Sequence, residues 1–504
     1  MAFATARKWL GPAAGAYGPL AVVVLVELIL FIGFHDERWR KSLRPRGDPR
    51  TSAGEGLVIR CDGHGYYAWL RSLLIDGDWS FDNEFDDHNP VGDWVPSSRT
   101  ERGLRSNHWS VGPACFWSLA VVPGHLGMVA LNGCGLSWPA DGYTLPYQLL
   151  VGVATLAASF LGLGFLYGIC RHFARPGRAA LAAAFLTLGT TIVFYGAIEV
   201  TMAHGLGAVA VAGLIWFWLN TYGSNRPGRW LLVGGLVGVA ALMRWQLVTF
   251  ALLPAGECLL ACLRRKKQVL GLGLAALGAA VAFLPQVIAW HAVYGHWLVT
   301  PVATAHNWLC PSWGQVLTST DRSLFYWTPL TLLALLGFVP FGRQPAGGPV
   351  DVPVPGKGEQ AALLLAAFVL QVYVTASLWG EAVQLGVSFG LRHFTESVVA
   401  LGPGLALLLE RAPRRRFLIL GGLGCLLVGW NLLLISQYRY GWVPADAGVD
   451  PETLLANAVR LAGRKRFLLV GQVLAAPVLL AVLVAWSCPS VAHAPGSDKT
   501  RQSV

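Results

Sequence analysis

Residues 147–170 read YQLLVGVATLAASFLGLGFLYGIC, a run of 24 amino acids without a charged side chain. A helix of this length is sufficient to cross about 30 Å of hydrocarbon. The next residues include Arg171, Arg175 and Arg178, and a second apolar run then covers 179–197. An apolar run, a short basic connector and another apolar run are typical of a polytopic helical membrane protein.

The same pattern recurs along the 504 residues, of which 54% are hydrophobic and only 13% are charged. Soluble domains carry about 25% charged residues, so a soluble enzyme and a disordered chain are excluded. We predict an all-α polytopic transmembrane protein with about 12 spanning helices, plus juxtamembrane or re-entrant helices in a long first outer loop. The predicted spans are 17–34, 147–170, 179–197, 203–219, 230–243, 246–262, 268–290, 324–342, 361–378, 394–410, 417–437 and 467–486.

The connectors that carry several basic residues alternate with connectors that do not, and two spans separate each neighbouring pair. The positive-inside rule places the basic connectors in the cytoplasm, which puts the others on the outer, periplasmic face of the inner membrane. The formal net charge of +11 therefore reflects orientation, and no nucleic-acid partner is expected.

The chain divides by function into four predicted segments. They are a signal-anchor helix at 1–34, an outer loop at 35–146, a transmembrane core at 147–410, and C-terminal helices with a tail at 411–504. A further apolar run at 112–131 contains several glycines and prolines, a poor composition for an uninterrupted span. We therefore expect it to form a re-entrant or interfacial helix buried against protein.

Polar residues that could take part in catalysis or ligand binding collect on the predicted outer face. In 61–87, apolar residues recur at helical spacing, which predicts an amphipathic helix lying along the interface. Asp62 begins this helix, and composition alone favours an N-cap role for it. Asp86, Asp87 and His88 could hold a divalent cation, although a hydrated loop is favoured and no cofactor is required. The other candidates are His64, Tyr66, His108, Glu199, His204, Arg244, Arg322, Trp379, Arg392 and His393.

Several short motifs, taken in their order along the chain, resemble the GT-C superfamily of polytopic glycosyltransferases. This superfamily includes protein O-mannosyltransferases and lipid A aminoarabinose transferases. The motifs extend from about Asp62 to Leu409. They are Asp62-Gly63-His64-Gly65-Tyr66-Tyr67, Ile75-Asp76-Gly77-Asp78-Trp79, Asn107–Pro113, Glu199–His204, Arg322 with Trp327-Thr328-Pro329, and Ser388-Phe389-Gly390-Leu391-Arg392.

The resemblance implies a polyprenyl-phosphate sugar as donor and inverting transfer to an acceptor hydroxyl or amine. It implies that Asp62 is the general base that deprotonates the acceptor. The resemblance and the chemistry of cations together suggest donor-phosphate ligands at His108, Arg244, Arg322, Arg392 and His393. The substrate pocket would then include His64, Tyr66, Glu199, His204 and Trp379. The family's usual Asp-Glu pair is Asp62-Gly63 here, and His108 stands where a lysine is usual.

Two other classes of function remain open at this point. A secondary transporter or lipid flippase would also be polytopic, but its polar groups would lie near the midplane on broken helices, often in inverted repeats. A membrane subunit that assists a partner enzyme would bind polyprenyl phosphate without transferring sugar. For Arg392, ordinary lipid headgroups are an alternative ligand, and Phe389 and Phe394 would anchor its loop at the lipid boundary.

Overall fold

The computed structural model describes residues 17–35, 58–89, 94–264, 269–300, 307–339, 357–378, 388–443, 448–462 and 467–487. Helices dominate these ranges, and their only β-pairing is an isolated bridge between Arg99 and Arg105. The predicted all-α polytopic class is therefore confirmed. The long helices are α1 Tyr17–His35, α4 Gly112–Gly133, α5 Leu145–Phe173, α8 Ala203–Thr221, α9 Pro227–Met243, α11 Val269–Tyr294, α15 Lys357–Leu378, α17 Arg414–Arg439 and α19 Phe467–Ser487.

Shorter helices fill the space between the long ones. They are α2 Asp62–Arg71, α3 Asp82–Asp86, α6 Pro176–Leu188, α7 Ile192–Ala197, α10 Leu252–Leu263, α12 Trp313–Leu317, α13 Leu324–Trp327, α14 Leu330–Leu336, α16 Gly402–Arg411 and α18 Pro451–Ala462. Within the described ranges, eight helical segments are long and apolar enough to cross a membrane. The total of about twelve spans stays a prediction.

Three of the predicted spans, 179–197, 324–342 and 394–410, are not single helices. The span 324–342 is interrupted at Thr328-Pro329, because proline lacks an amide hydrogen and restricts the residue before it. The span 179–197 breaks between α6 and α7, where Asn431 Nδ2 donates 2.8 Å hydrogen bonds to the carbonyls of Leu188 and Thr190. A buried amide thus satisfies backbone groups that a broken helix leaves unpaired.

The helices of the core pack closely through glycine. A Cβ atom on Gly234 would lie 1.8 Å from the carbonyl oxygen of Ala275, and one on Gly238 would lie 2.4 Å from that of Ala279. Helices α9 and α11 therefore run parallel with their backbones almost in contact, which confirms that Gly234–Gly238 serves helix packing. Helix α8 runs parallel to α5, since Gly162 meets Val209 and Gly168 meets Trp216.

The basic connectors gather at one end of the bundle, here called the basic face. Arg175 Nε contacts Glu410 at 2.8 Å, Arg229 Nη2 contacts Glu257 at 2.6 Å, and Arg264 pairs with Glu359. His172 Nε2 also lies 2.9 Å from Gln360 Oε1, which joins the connectors near 172 and 357. The described parts of the connectors therefore share a face, as their spacing predicted, while 265–268 and Arg343 lie outside the described residues. The opposite end, called the site face, carries the start of α2, the start of α8, the end of α9 and the residues before α16.

Helix α4 lies along the site-face end of α5. Trp117 Nε1 donates to Thr155 Oγ1 at 2.9 Å, and eight residues later His125 Nδ1 lies 2.6 Å from the Tyr147 hydroxyl. The first residue of α4, Gly112, packs against the end of α9. Helix α4 therefore runs antiparallel beside α5 from Tyr147 to Thr155. It is also one of the eight segments that are long and apolar enough to cross a membrane, so its interfacial placement stays a prediction.

One side of α4 is open. Leu119 is 74% exposed and Leu126 is 61% exposed, although the helix continues without interruption through Pro123. The expectation that this segment is buried against protein is therefore wrong. Its apolar side is free to contact lipid, because an interfacial helix buries its apolar side in the acyl boundary.

Cysteine labelling tests which face is outside. Cys61 is exposed on the site face, and Cys262 is exposed beside Arg264 on the basic face. We expect a membrane-impermeant maleimide to label a Cys61-only variant in spheroplasts and to leave a Cys262-only variant unlabelled until the cells are lysed. Labelling of Cys262 alone in intact spheroplasts would reverse the orientation that the positive-inside rule predicts.

Candidate functional site

An ion pair joins two residues that are 330 positions apart in the chain. Arg392 Nη1 donates to Asp62 Oδ2 at 3.0 Å. Asp62 is already the first helical residue of α2, and Cys61 occupies the cap position, so the N-cap interpretation of Asp62 is wrong. The Asp62 side chain is 29% exposed and the Arg392 side chain is 19% exposed, so the pair is accessible at the site face.

Helix α2 is buried on all sides, so the predicted amphipathic interfacial helix is corrected. A Cβ on Gly65 would lie 1.7 Å from the ring of Trp109, and one on Gly63 would lie 2.4 Å from Thr201 Oγ1. Glycine at both positions lets the neighbouring segments approach on two sides. Burial of the whole helix fixes the position of Asp62 at its end.

The loop that carries Arg392 turns at Gly390, whose φ is +58°. Only glycine adopts this left-handed conformation readily, and a Cβ here would also meet Thr191 at 2.9 Å. Phe389 and Phe394 are each 1% exposed, and Phe389 stacks on Phe194 with ring centroids 4.5 Å apart. The prediction that these phenylalanines anchor the loop at the lipid boundary is therefore wrong, since they anchor it in the protein core.

Arg244 occupies the break after α9 and contacts four acceptors. Its Nη1 lies 3.0 Å from Glu396 Oε1 and also donates to His204 Nδ1. Its Nη2 lies 2.9 Å from His393 Nδ1 and 3.3 Å from Gln246 Oε1. The helix therefore ends at Arg244 as predicted, and the guanidinium turns inward to protein partners.

Glu396 is a site residue that sequence reasoning missed. It is fully buried, and its Oε1 also lies 3.1 Å from His204 Nδ1. It lies inside the predicted span 394–410, where a carboxylate is costly and usually marks a functional or paired group. That signal was present in the sequence.

Tyr66 lies near both the Asp62 pair and the Arg244 cluster, and His108 lies near Asp62. Tyr66 is almost buried and lies within electrostatic range of both arginines and both carboxylates. His108 stacks on Trp109 with ring centroids 3.9 Å apart. Burial lowers the pKa of His108, and the nearby Asp62 carboxylate only partly opposes this, so the imidazole is mainly neutral at pH 7.

The remaining candidates are Arg322, Glu199, His64 and Trp379. Arg322 is 1% exposed with φ +57°, and its Nε donates to Asp321 at 2.7 Å. Arg322, Glu199 and Arg392 all lie within electrostatic range of Tyr438, whose ring packs on Phe389 with centroids 5.5 Å apart. His64 is fully buried beside Tyr143, and Trp379 lies outside the described residues. A direct role for these four residues stays a prediction.

The acidic segment after α2 is held by ion pairs. Arg71 Nη1 contacts the buried Glu84 at 2.8 Å and also pairs with Asp76, while Arg105 binds Asp86 at 2.9 Å. In the described residues, no group of three or more His, Cys, Asp or Glu side chains could hold a metal ion. The segment is therefore a structural network, and a divalent cation there has no support from geometry.

Glu84 predicts a pH dependence of stability. Burial raises its pKa from 4.5 to about 7, with Arg71 opposing the shift. The folded state thus binds this proton more tightly than the unfolded state, so the contribution is complete below pH 4.5 and is lost as pH rises through 7. Its upper limit is about 3 kcal/mol.

We expect Glu84→Gln to remove this loss when thermal unfolding in detergent is measured from pH 4.5 to pH 8. Glu101, whose side chain is 83% exposed, supplies the matched control Glu101→Gln, which should follow the wild-type pH profile. Parallel profiles for wild type and Glu84→Gln would contradict the prediction.

The fold and the site define a polytopic α-helical membrane protein with two arginine–carboxylate pairs at one end of its bundle. No protein-family model matches the chain, and no curated protein sequence matches it. The chain is similar to the solved archaeal oligosaccharyltransferase AglB from Archaeoglobus fulgidus, which was determined with an inhibitory peptide and a dolichol-phosphate. The identity is 11%, the TM-score is 0.41, and the match covers 93% of this chain and 56% of that one.

A second similar structure is ArnT from Cupriavidus metallidurans bound to undecaprenyl phosphate. The identity is 14%, the TM-score is 0.44, and the match covers 94% of this chain and 77% of that one. The chain spans only a little over half the length of the archaeal protein. At these scores the similarity supports no conclusion about the function of this chain or about its individual residues.

Proposed function

We propose that the protein is a membrane glycosyltransferase of the inner membrane, which transfers a hexosyl or pentosyl group from a polyprenyl-phosphate sugar on the periplasmic face. The acceptor is a glycan, lipid or protein that offers a hydroxyl or amine. The observation that carries the proposal is the accessible pairing of Asp62 with Arg392, 3.0 Å apart. A base for the acceptor and a cation for the leaving phosphate are the two groups that this reaction needs.

Arg392 has hydrogen-bond donors available for a phosphate. Its Nη1 donates to Asp62, and among the described residues the guanidinium has no other hydrogen-bond partner. Its Nε is enclosed by protein, so the exposed part of the guanidinium is the Nη edge. A guanidinium can therefore keep its contact with Asp62 and present another N–H edge to a phosphate oxygen. Direct phosphate contact by His108, Arg322 and His393 is a further part of the proposal. The Nη groups of Arg244 already serve four acceptors and leave no hydrogen for a phosphate.

The ion pair links the two halves of the reaction. The acceptor oxygen or nitrogen bonds to the anomeric carbon and loses its proton to Asp62, while the bond from that carbon to the phosphate oxygen breaks. The phosphodiester, with charge −1, leaves as a phosphate monoester with charge −2. When Asp62 becomes neutral it releases its hold on Arg392, whose full charge then faces the new anion. Attack opposite to the leaving group inverts the anomeric configuration.

The test uses purified protein in nanodiscs with a panel of radiolabelled polyprenyl-phosphate sugars. We expect one sugar to be released, together with free polyprenyl phosphate, and release to require Asp62. Binding of polyprenyl phosphate without release of any sugar would indicate that the protein is a subunit that assists a partner enzyme. Movement of intact donor across the bilayer would favour a flippase.

A further inference from the structure

Glu396 and Arg244 form a second arginine–carboxylate pair, which is more deeply buried than the first. Glu396 is 0% exposed and the Arg244 side chain is only 12% exposed, with 3.0 Å between Oε1 and Nη1. A buried pair is rarely worth its desolvation cost as a source of stability alone. Its position next to the proposed phosphate ligand suggests another role.

Arg244 is the centre of a hydrogen-bond network. Its two Nη groups carry four hydrogens, and four acceptors receive them: His204, Glu396, His393 and Gln246. No Nη hydrogen is left for a bidentate phosphate contact. A guanidinium can only donate, and Arg244 Nη1 lies closer to His204 Nδ1 (2.5 Å) than Glu396 Oε1 does (3.1 Å). Both imidazoles therefore accept from Arg244 at Nδ1, carry their proton on Nε2 and are neutral.

His393 connects this network to the loop that carries the proposed phosphate ligand. Its Nδ1 lies 2.9 Å from Arg244 Nη2, and its main-chain carbonyl accepts from Gln246 Nε2 at 3.4 Å. Because His393 is the residue next to Arg392, these contacts hold the backbone at Arg392 in place. The order of contacts is then Glu396 to Arg244, Arg244 to His393, and His393 to Arg392 along the chain.

We propose that Glu396 is a positioning residue: it cancels the charge of Arg244 and, through Arg244 and His393, holds the Arg392 backbone where the leaving phosphate forms. This rests on the proposed function. With both histidines neutral, the two arginine–carboxylate pairs together carry no net charge. Donor binding is then not strengthened by an excess cation, and the free charge on Arg392 appears only when Asp62 is protonated. Interactions that strengthen in the transition state are the ones that accelerate the reaction.

The proposal predicts opposite changes in binding and turnover. Glu396→Gln keeps the size of the side chain but leaves Arg244 uncompensated, so the site gains one positive charge. We expect undecaprenyl phosphate without sugar to bind roughly tenfold more tightly, about 1.4 kcal/mol. We expect kcat for the donor to fall at least tenfold, because Arg392 loses its fixed position and the product leaves slowly.

A matched control lies at the opposite end of the bundle. Glu257 is also buried and pairs with Arg229, with Oε2 and Nη2 2.6 Å apart on the basic face. Glu257→Gln makes the same chemical change and should lower thermal stability without altering the Kd for undecaprenyl phosphate. Glu396→Asp restores the charge and should recover part of kcat, which a packing role alone would not produce.

The result that overturns the proposal is a Glu396→Gln variant whose Kd and kcat match those of Glu257→Gln. If Glu396→Gln fails to fold, the double variant Arg244→Gln/Glu396→Gln keeps the site neutral. It should bind undecaprenyl phosphate like the wild type and still lose kcat, and full kcat would refute the positioning role. A wild-type protein that neither binds undecaprenyl phosphate nor transfers sugar overturns the proposed function itself, so the two failures are distinct.

Discussion

Replacing Asp62 with asparagine is expected to lower the rate of sugar transfer by about 10²–10⁴, the range for removal of a general base. Asparagine has nearly the same shape and can still accept a hydrogen bond from Arg392, so the burial of α2 should hold the side chain in place. It cannot take the proton of the acceptor. Single-turnover assays with saturating donor measure the loss directly.

The role of Asp62 is identified by comparing how Asp62→Asn changes the binding of undecaprenyl phosphate with how it changes turnover. Asp62→Asn should bind undecaprenyl phosphate at least as tightly as the wild type, because Arg392 then lacks its counter-charge. Asp87, an exposed carboxylate of the same outer segment, gives the control Asp87→Asn, which should retain full turnover. Near-normal transfer by a well-folded Asp62→Asn variant would remove Asp62 from the chemistry.

Arg392→Ala is expected to lower kcat by about 10²–10³, as the loss of a donor to a developing anion does in other enzymes. Arg392→Lys should recover only a small part of this. A single ammonium is a point charge that cannot reproduce the two-edged contact to Asp62 and to a phosphate oxygen. Steady-state kinetics on the released polyprenyl phosphate test both variants.

Arg99 provides the control for the two Arg392 variants. Its side chain is 54% exposed and it pairs with Asp82 in the outer segment, so Arg99→Ala and Arg99→Lys should both keep full turnover. If Arg392 held ordinary lipid headgroups, Arg392→Lys would be fully active. Full turnover in Arg392→Ala would end the phosphate role altogether.

The sequence predicted the class and most of the helices because hydrophobic length is a local property. An uncharged run such as 147–170 must form a helix in a membrane, since no other single-segment structure satisfies its backbone. The basic connectors were likewise assigned correctly to a common face. The break in 179–197 was missed because a distant side chain, Asn431, satisfies the exposed carbonyls. The break in 324–342 falls at Pro329, a signal that was present in the sequence.

What the sequence by itself determined is thus the all-α polytopic class, the sorting of charge between two faces, and the list from which site residues come. Only the tertiary structure decided which of them meet. Asp62 changed from a cap into a partner of Arg392, Arg244 turned to Glu396, and α2 became buried where an interfacial helix was expected. The physical reason is that charges in a low-dielectric interior must find counter-charges, and the helices that supply them are hundreds of residues apart.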